Sequence, residues 1–285
     1  MNGRQDPLDE ISAFQTCLEK FTSKMHHIIA NRQRRYNANL PIHQLPPELI
    51  SPILAFATSP PFIESSGITY MQRLQELASV SSSWAQLIND TPPFWVNVFN
   101  EFSPPQIRQA LSRSKSSLLD VKFEHDAWGG TSDDLFASLI SDHACRWRSV
   151  KIVEGSPSSA VINTLRVAQA PALETLCVAY SGYGRLSDTI LCGKADRLRH
   201  VEFLRFCIPW DTEILRGLVS LKLEELQEES PTADQLVDIL SASPGLTTLH
   251  LGSLMAGDQK ASVTSREAGS LELPVLRTLH VSWLI

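Results

Sequence analysis

The strongest constraint on this chain is a short signature that recurs along its second half. A large apolar residue is followed by two others, a Leu or Val, one more residue, and then an apolar one. Copies begin at Leu118 (with Val121 and Phe123), Trp147 (Val150, Ile152), Leu173 (Leu176, Val178) and Leu198 (Val201, Phe203). Three more begin at Leu218 (Leu221, Leu223), Leu246 (Leu249, Leu251) and Leu276 (Leu279, Val281). The intervals are 29, 26, 25, 20, 28 and 30 residues. The second and third anchors are two positions apart, so both point to one face of a short strand. The first anchor sits in the turn that enters the strand. Between copies, Pro105–Lys115, Ser132–Cys145, Pro157–Gln169, Asp211–Gly217 and Thr232–Ala242 read as helices or turns. Ser156-Pro157 and Thr232 are good helix openings. Leu135, Phe136 and Leu139 are expected to face inward on one helix, and Leu236, Ile239 and Leu240 on another. Strand then helix at such a period predicts a solenoid whose units bury their faces on their neighbours.

This pattern resembles an irregular leucine-rich repeat. It departs from that family at the position three past each strand, where an Asn or Cys is usual. Asp126, Gly155, Ser181, Phe206, Leu226, Leu254 and Leu284 stand there instead. Without the side-chain ladder that position supplies, irregular loops and uneven curvature are expected. The sequence stops at Ile285, directly after a strand anchor. A truncated product is expected in preference to a strand left as an open edge.

A second organised stretch runs from Leu40 to Val98. It opens Leu45-Pro46-Pro47-Glu48-Leu49-Ile50-Ser51-Pro52-Ile53-Leu54 and resumes from Leu74 to Ile88, with Val80 and Trp84 four apart. It closes on Pro92-Pro93-Phe94-Trp95. Pro46 and Pro47 suit a helix start, where a missing N–H costs little. Leu49, Ile50, Ile53, Leu54 and Ala57 make one wide apolar stripe, and Leu74, Leu77, Ala78, Val80, Trp84, Leu87 and Ile88 make another. A module this small cannot bury both stripes by itself, so apolar surface is left for another body. The motif resembles an F-box, over about a fifth of the chain. It is longer than usual, with the excess near Thr58–Thr69, and Pro52 is expected to kink or shorten the first helix. The resemblance implies docking to a Skp-type adaptor and through it to a cullin. Leu45, Pro46, Pro47, Ile50, Ile53, Leu54, Val80, Trp84, Leu87 and Trp95 would be the contact or supporting residues.

Ahead of this stretch, Pro7–Tyr36 reads as one long helix. Ile11, Leu18 and Met25 recur every seven residues, and Phe14, Phe21 and Ile28 do so offset by three. This heptad seam suits either a short coiled coil between two chains or a helix folded back on its own chain. Three heptads are few for a coiled coil, which favours packing within the chain. Arg32, Arg34 and Arg35 follow the seam, where cations complement a helix C-terminus; nuclear import is the other reading.

Chemistry is sparse. A net charge of −6 does not suit a general nucleic-acid binder. No apolar run is long enough to span a bilayer. The acidic N-terminus is not a secretory signal, so Asn89-Asp90-Thr91 is expected to carry no glycan. The 5 cysteines are odd in number and widely spaced, which fits reduced core residues. His143-Ala144-Cys145 has no second pair to complete a zinc site. Gly182-Tyr183-Gly184 reads as a turn, and Asp133-Asp134 as first-turn acids of a helix. Glu224, Glu225, Glu228 and Glu229 form a solvated acidic loop or a surface for a basic partner. Trp128, Tyr180, Tyr183 or Trp210, if exposed, could anchor a partner.

The expected fold class is mixed α/β: an N-terminal all-helical segment (1–39), an F-box (40–99), and a leucine-rich-repeat-like solenoid of short parallel strands and helices (100–285). The function this implies is the substrate receptor of a Skp–cullin–F-box ubiquitin ligase, with no catalysis, cofactor or metal of its own. Its partners would be the adaptor and a target protein, with no nucleic acid or membrane. The chain would be cytoplasmic or nuclear, and monomeric outside the complex. The alternative is a non-catalytic repeat scaffold with no ligase role.

Overall fold

The structure, a computed structural model, describes residues 7–58, 66–124, 131–154, 159–186, 190–193, 195–226, 230–253 and 271–282. The chain forms two compact units. The first holds Met1–Ile63 and Gln72–Ile88; the second holds Glu64–Met71, which includes the first residues of a helix that continues into the first unit, and Asn89–Ile285.

The first unit is helical. Helix α1 runs Pro7–Ala38, a 3₁₀ turn covers Pro41–Gln44, α2 runs Pro47–Thr58, α3 runs Gly67–Val80 and α4 runs Ser82–Asp90. Helix α2 starts as its prolines dictate: Pro46 and Pro47 remove two N–H groups that would lack partners there, and Ile50 N–H donates to Pro46 O at 3.2 Å. Pro52 does not shorten the helix. It is exposed, so the carbonyl it leaves unpaired faces water. The stripe from Leu74 to Ile88 is divided between two helices. Ser81 separates them: its Oγ accepts from Trp84 N–H at 3.2 Å and its carbonyl accepts from Ala85 N–H at 2.9 Å, which makes it the cap of α4. Ile50, Leu54, Leu74, Trp84 and Ile88 are the buried apolar residues of this unit.

The heptad seam of α1 is not folded back on the chain. Every residue from Ile11 to Ile29 is exposed. Helix α1 is tied to its unit near its C-terminus, where Asn37 Nδ2 donates to Val80 O at 3.2 Å.

The second unit is built on an eight-stranded, all-parallel sheet. Its strands are β1 (Asn97–Phe99), β2 (Leu119–Glu124), β3 (Trp147–Glu154), β4 (Thr175–Arg185), β5 (His200–Cys207), β6 (Ser220–Glu224), β7 (Thr248–Gly252) and β8 (Thr278–Ser282). They lie side by side in chain order. A doubly wound sheet would reverse its order part-way; this one does not. Helices α5 (Pro104–Arg113), α6 (Asp133–Ser141), α7 (Ser159–Val167) and α8 (Ala233–Ser241) fill some of the crossovers, and short 3₁₀ turns fill others. Helix α5 packs on α6, and α6 on α7.

All seven copies of the signature become strands, and their anchors align. Val121, Val150, Leu176, Val201, Leu221, Leu249 and Leu279 form one continuous rung across the sheet. Phe123, Ile152, Val178, Phe203, Leu223, Leu251 and Val281 form the next. Both rungs are buried from β2 to β7 and exposed on β8, where Leu279 is 60% accessible. The register corrects one anchor: a bulge at Leu119/Asp120 places Leu119, not Leu118, beside Trp147.

Helix α8 opens with the expected cap, Gln235 N–H donating to Thr232 Oγ1 at 3.3 Å, and Asp133 and Asp134 occupy the first turn of α6. On α6, however, Leu135 is exposed, and the inward face is Phe136, Ala137 and Ile140. The opening expected at Ser156-Pro157 lies outside the described residues, as do Asp126, Gly155, Leu254 and Leu284. Gly182-Tyr183-Gly184 is not a free turn. It lies within β4, in an irregularity where Ala179 pairs with Leu204 and Gly184 with Phe206. Gly184 is needed there because a Cβ would come within 2.3 Å of the Tyr180 ring.

Candidate functional site

Helix α2 carries two apolar faces. Ile50, Leu54 and Thr58 recur at i, i+4 and i+8 and are buried. Leu49, Ile53 and Phe56 recur on the opposite flank and are 53%, 46% and 83% exposed. The first face holds the helix in its unit; the second is covered by nothing among the described residues. A helix apolar on both sides is a poor surface helix unless something else covers it.

The ten residues expected at an adaptor contact separate accordingly. Pro46, Pro47, Ile53 and Val80 are exposed, and Leu45 and Leu87 are half-buried. Ile50, Leu54, Trp84 and Trp95 are buried. The first three of these support α2 and α4 from inside. The Trp84 ring lies 5.4 Å from that of His43, and its indole N–H finds no acceptor among the described residues. Trp95 belongs to the second unit, where the Arg113 guanidinium sits over its ring at 4.6 Å. Leu49 and Phe56 were not among the ten. Their spacing from Ile53 could have marked them, had α2 been read as having two faces instead of one wide stripe.

The second candidate surface is the side of the sheet opposite its apolar rungs. Lys122, Lys151, Cys177, Glu202, Lys222, His250 and His280 occupy one row across seven strands. Much of the row is tied into ion pairs. Lys222 Nζ lies 2.8 Å from Glu202 and 3.1 Å from Glu224, and His250 Nε2 lies 2.8 Å from Glu224. Burial opposes the charge of Lys222, but its hydrogen bonds to Glu202 and Glu224 outweigh that and raise its pKa. Arg205 pairs with Glu225. Glu224 and Glu225 are therefore each paired with a side chain of the sheet; Glu228 and Glu229 lie outside the described residues. Of the expected aromatic anchors, Tyr180 and Trp210 are buried and Tyr183 is 58% exposed at the β4 irregularity. Trp128 lies outside the described residues.

Cys177 in this row has its thiol pushed up to about 12, by burial first and then by the Glu202 carboxylate. At pH 8 it should carry on the order of a thousandfold less thiolate than an ordinary cysteine. Mass-spectrometric alkylation timing should show the exposed Cys17, Cys145 and Cys192 modified long before Cys177. Equal rates would contradict this burial.

An open groove between α6 and α7 is lined by Asp134, Ser138, Ser141, Asn163 and Arg166, among others. Its serine hydroxyls donate to carbonyls of their own helix, Ser138 to Leu135 at 2.8 Å and Ser141 to Ser138 at 3.1 Å. Neither hydroxyl is thus held by a general base. Among the described residues no three His, Cys, Asp or Glu converge on a point that could hold a metal. No described helix is long and apolar enough to cross a membrane.

Comparisons with protein-family models, with curated proteins and with solved structures found no match.

Proposed function

We propose that the chain is the substrate receptor of a Skp–cullin–F-box type ubiquitin ligase. The helical unit docks the adaptor, and the parallel sheet is a leucine-rich-repeat-like solenoid that holds a target protein. The observation that carries this reading is the outward stripe Leu49–Ile53–Phe56 on a helix whose other face is already buried. It adjoins, in sequence, the Leu-Pro-Pro-Glu opening that resembles an F-box. The solenoid reading is supported by strand order that follows the chain and by two rungs kept in register across seven strands. Its role in catalysis is proximity: tethering raises the effective concentration of target lysines at the ubiquitin-carrying enzyme.

The test is a pull-down of a Skp-type adaptor by the full chain, wild type against Leu49→Asp with Ile53→Asp. Both positions are exposed, so the pair should leave the circular dichroism spectrum unchanged. Each buried apolar anchor in such an interface is worth about 2 kcal/mol or more. The double variant should therefore bind at least ~100-fold more weakly. A folded wild type that does not bind sinks the ligase reading and leaves the non-catalytic scaffold in its place.

A further inference from the structure

From Ile11 to Ile29 helix α1 is covered by nothing among the described residues, yet it carries seven large apolar side chains on this stretch. Phe14 is 75%, Leu18 66% and Phe21 62% exposed. Helices in water are held mainly by packing of an amphipathic face, not by propensity. The sequence here is not rich in alanine and has four aromatic or β-branched residues in its seam alone (Ile11, Phe14, Phe21, Ile28). A 32-residue helix of this kind needs a second body along its seam. We propose that this body is α1 of a second copy of the chain, and that the two helices pair antiparallel.

Two observations select this occupant. The first is charge. Between Pro7 and Glu19 the sequence has Asp9, Glu10 and Glu19 and no Lys or Arg; from Lys20 to Ala38 it has Lys20, Lys24, Arg32, Arg34 and Arg35 and no acid. A parallel pair stacks like charges at both ends. An antiparallel pair lays each acidic half against a basic half and opposes the two helix dipoles. The second is layer matching. A two-fold axis between Glu19 and Lys20 brings Ile11 opposite the partner copy's Ile28, Phe14 opposite its Met25 and Leu18 opposite its Phe21. Every layer then joins an a-type to a d-type position over a seam ~26 Å long, at 1.5 Å rise per residue. The same register places no charged residue in a core layer. This surface is separate from α2, so the inference does not depend on adaptor binding.

The experiment is light scattering coupled to gel filtration on the full chain at ~100 μM, wild type against Leu18→Glu with Phe21→Glu and against Phe56→Ser. Wild type and Phe56→Ser should run at twice the mass of one chain, and the central-layer variant at one. Orientation is read from a nitroxide at Gln33→Cys in a chain whose exposed Cys17, Cys145 and Cys192 are serine. Gln33 is exposed, and the antiparallel register separates the two labels by ~40 Å, against less than ~20 Å for a parallel pair, at 1.5 Å per residue. A monomeric wild type, a dimer that survives Leu18→Glu with Phe21→Glu, or a short label distance would each overturn the proposal.

Discussion

Phe203→Ala should cost the sheet unit about 3–5 kcal/mol, the range for removing a buried ring from a packed core. Phe203 is fully buried, on the rung between Val178 and Leu223. Its ring lies 5.5 Å from that of Phe206 and 6.4 Å from that of Trp210, so it is the centre of an aromatic cluster. Neighbours on adjoining strands are fixed by backbone register and cannot collapse into the space. For a unit of this size, ~2–4 °C per kcal/mol makes the loss roughly 6–20 °C in Tm. The matching change on the last strand, Leu279→Ala, removes a side chain that is 60% exposed and should cost under ~1 kcal/mol. Urea unfolding of the two variants separates the cases. Equal losses would mean that the burial gradient from β5 to β8 is not that of the protein in solution.

The contrast follows from how much of this fold the sequence states. The strand positions were legible because a period-2 pair of anchors, repeated, has few other meanings. Strand β1 was missed for a related reason. Trp95, Val98 and Asn100 hold the three anchor positions of β1, since Val98 pairs with Val121. The copy is hidden because a polar Asn stands where the pattern requires an apolar residue. The same fact reassigns Trp95: it closes the F-box-like motif in sequence but enters the sheet as a first anchor and is buried there.

The turns after the strands were less legible. With no Asn or Cys at the usual place, irregular loops were expected. Instead Arg205, Glu225 and Ser253, each two residues past a third anchor, adopt φ of +54°, +52° and +50°. This left-handed conformation recurs at the same point in three successive copies, inside β5 and directly after β6 and β7. Glu225 N–H then donates to Gly252 O at 2.9 Å, and Ser253 N–H to Ser282 O at 2.7 Å. Backbone satisfies backbone where the side-chain ladder of a leucine-rich repeat is absent. None of the three residues favours positive φ, which is why sequence could not announce it. The candidate docking face was half legible: the motif singled out α2, but apolar pattern alone cannot say which flank of α2 is buried. Burial of Ile50 and Leu54 against exposure of Leu49 and Ile53 depends on where the other helices lie.

Asn100 gives the sharpest test of this arrangement. It is 2% exposed. Its Nδ2 donates to Glu124 O at 2.9 Å, and its Oδ1 accepts from Glu124 N–H at 3.0 Å, so one amide closes the end of β2. Its own carbonyl accepts from Thr131 N–H at 2.8 Å. Asn100→Ala leaves both Glu124 backbone groups without their partner, and each unsatisfied buried group costs about 1–3 kcal/mol. The expected loss is roughly 2–4 kcal/mol, since some water can enter the space. Asn100→Leu distinguishes two accounts of the position. If the third-anchor slot wants apolar volume, as Phe123 and Ile152 suggest in the following strands, Leu should restore stability. If the slot is a polar bridge, Leu should be as damaging as Ala or worse, because it fills the site and also excludes the water that could replace the amide. Denaturant unfolding of both variants reads this directly. We expect the bridge to win, because the pair of hydrogen bonds to Glu124 has no substitute donor and acceptor in any apolar side chain, and a neutral or stabilised Asn100→Leu would show that the first strand obeys the same rule as the rest.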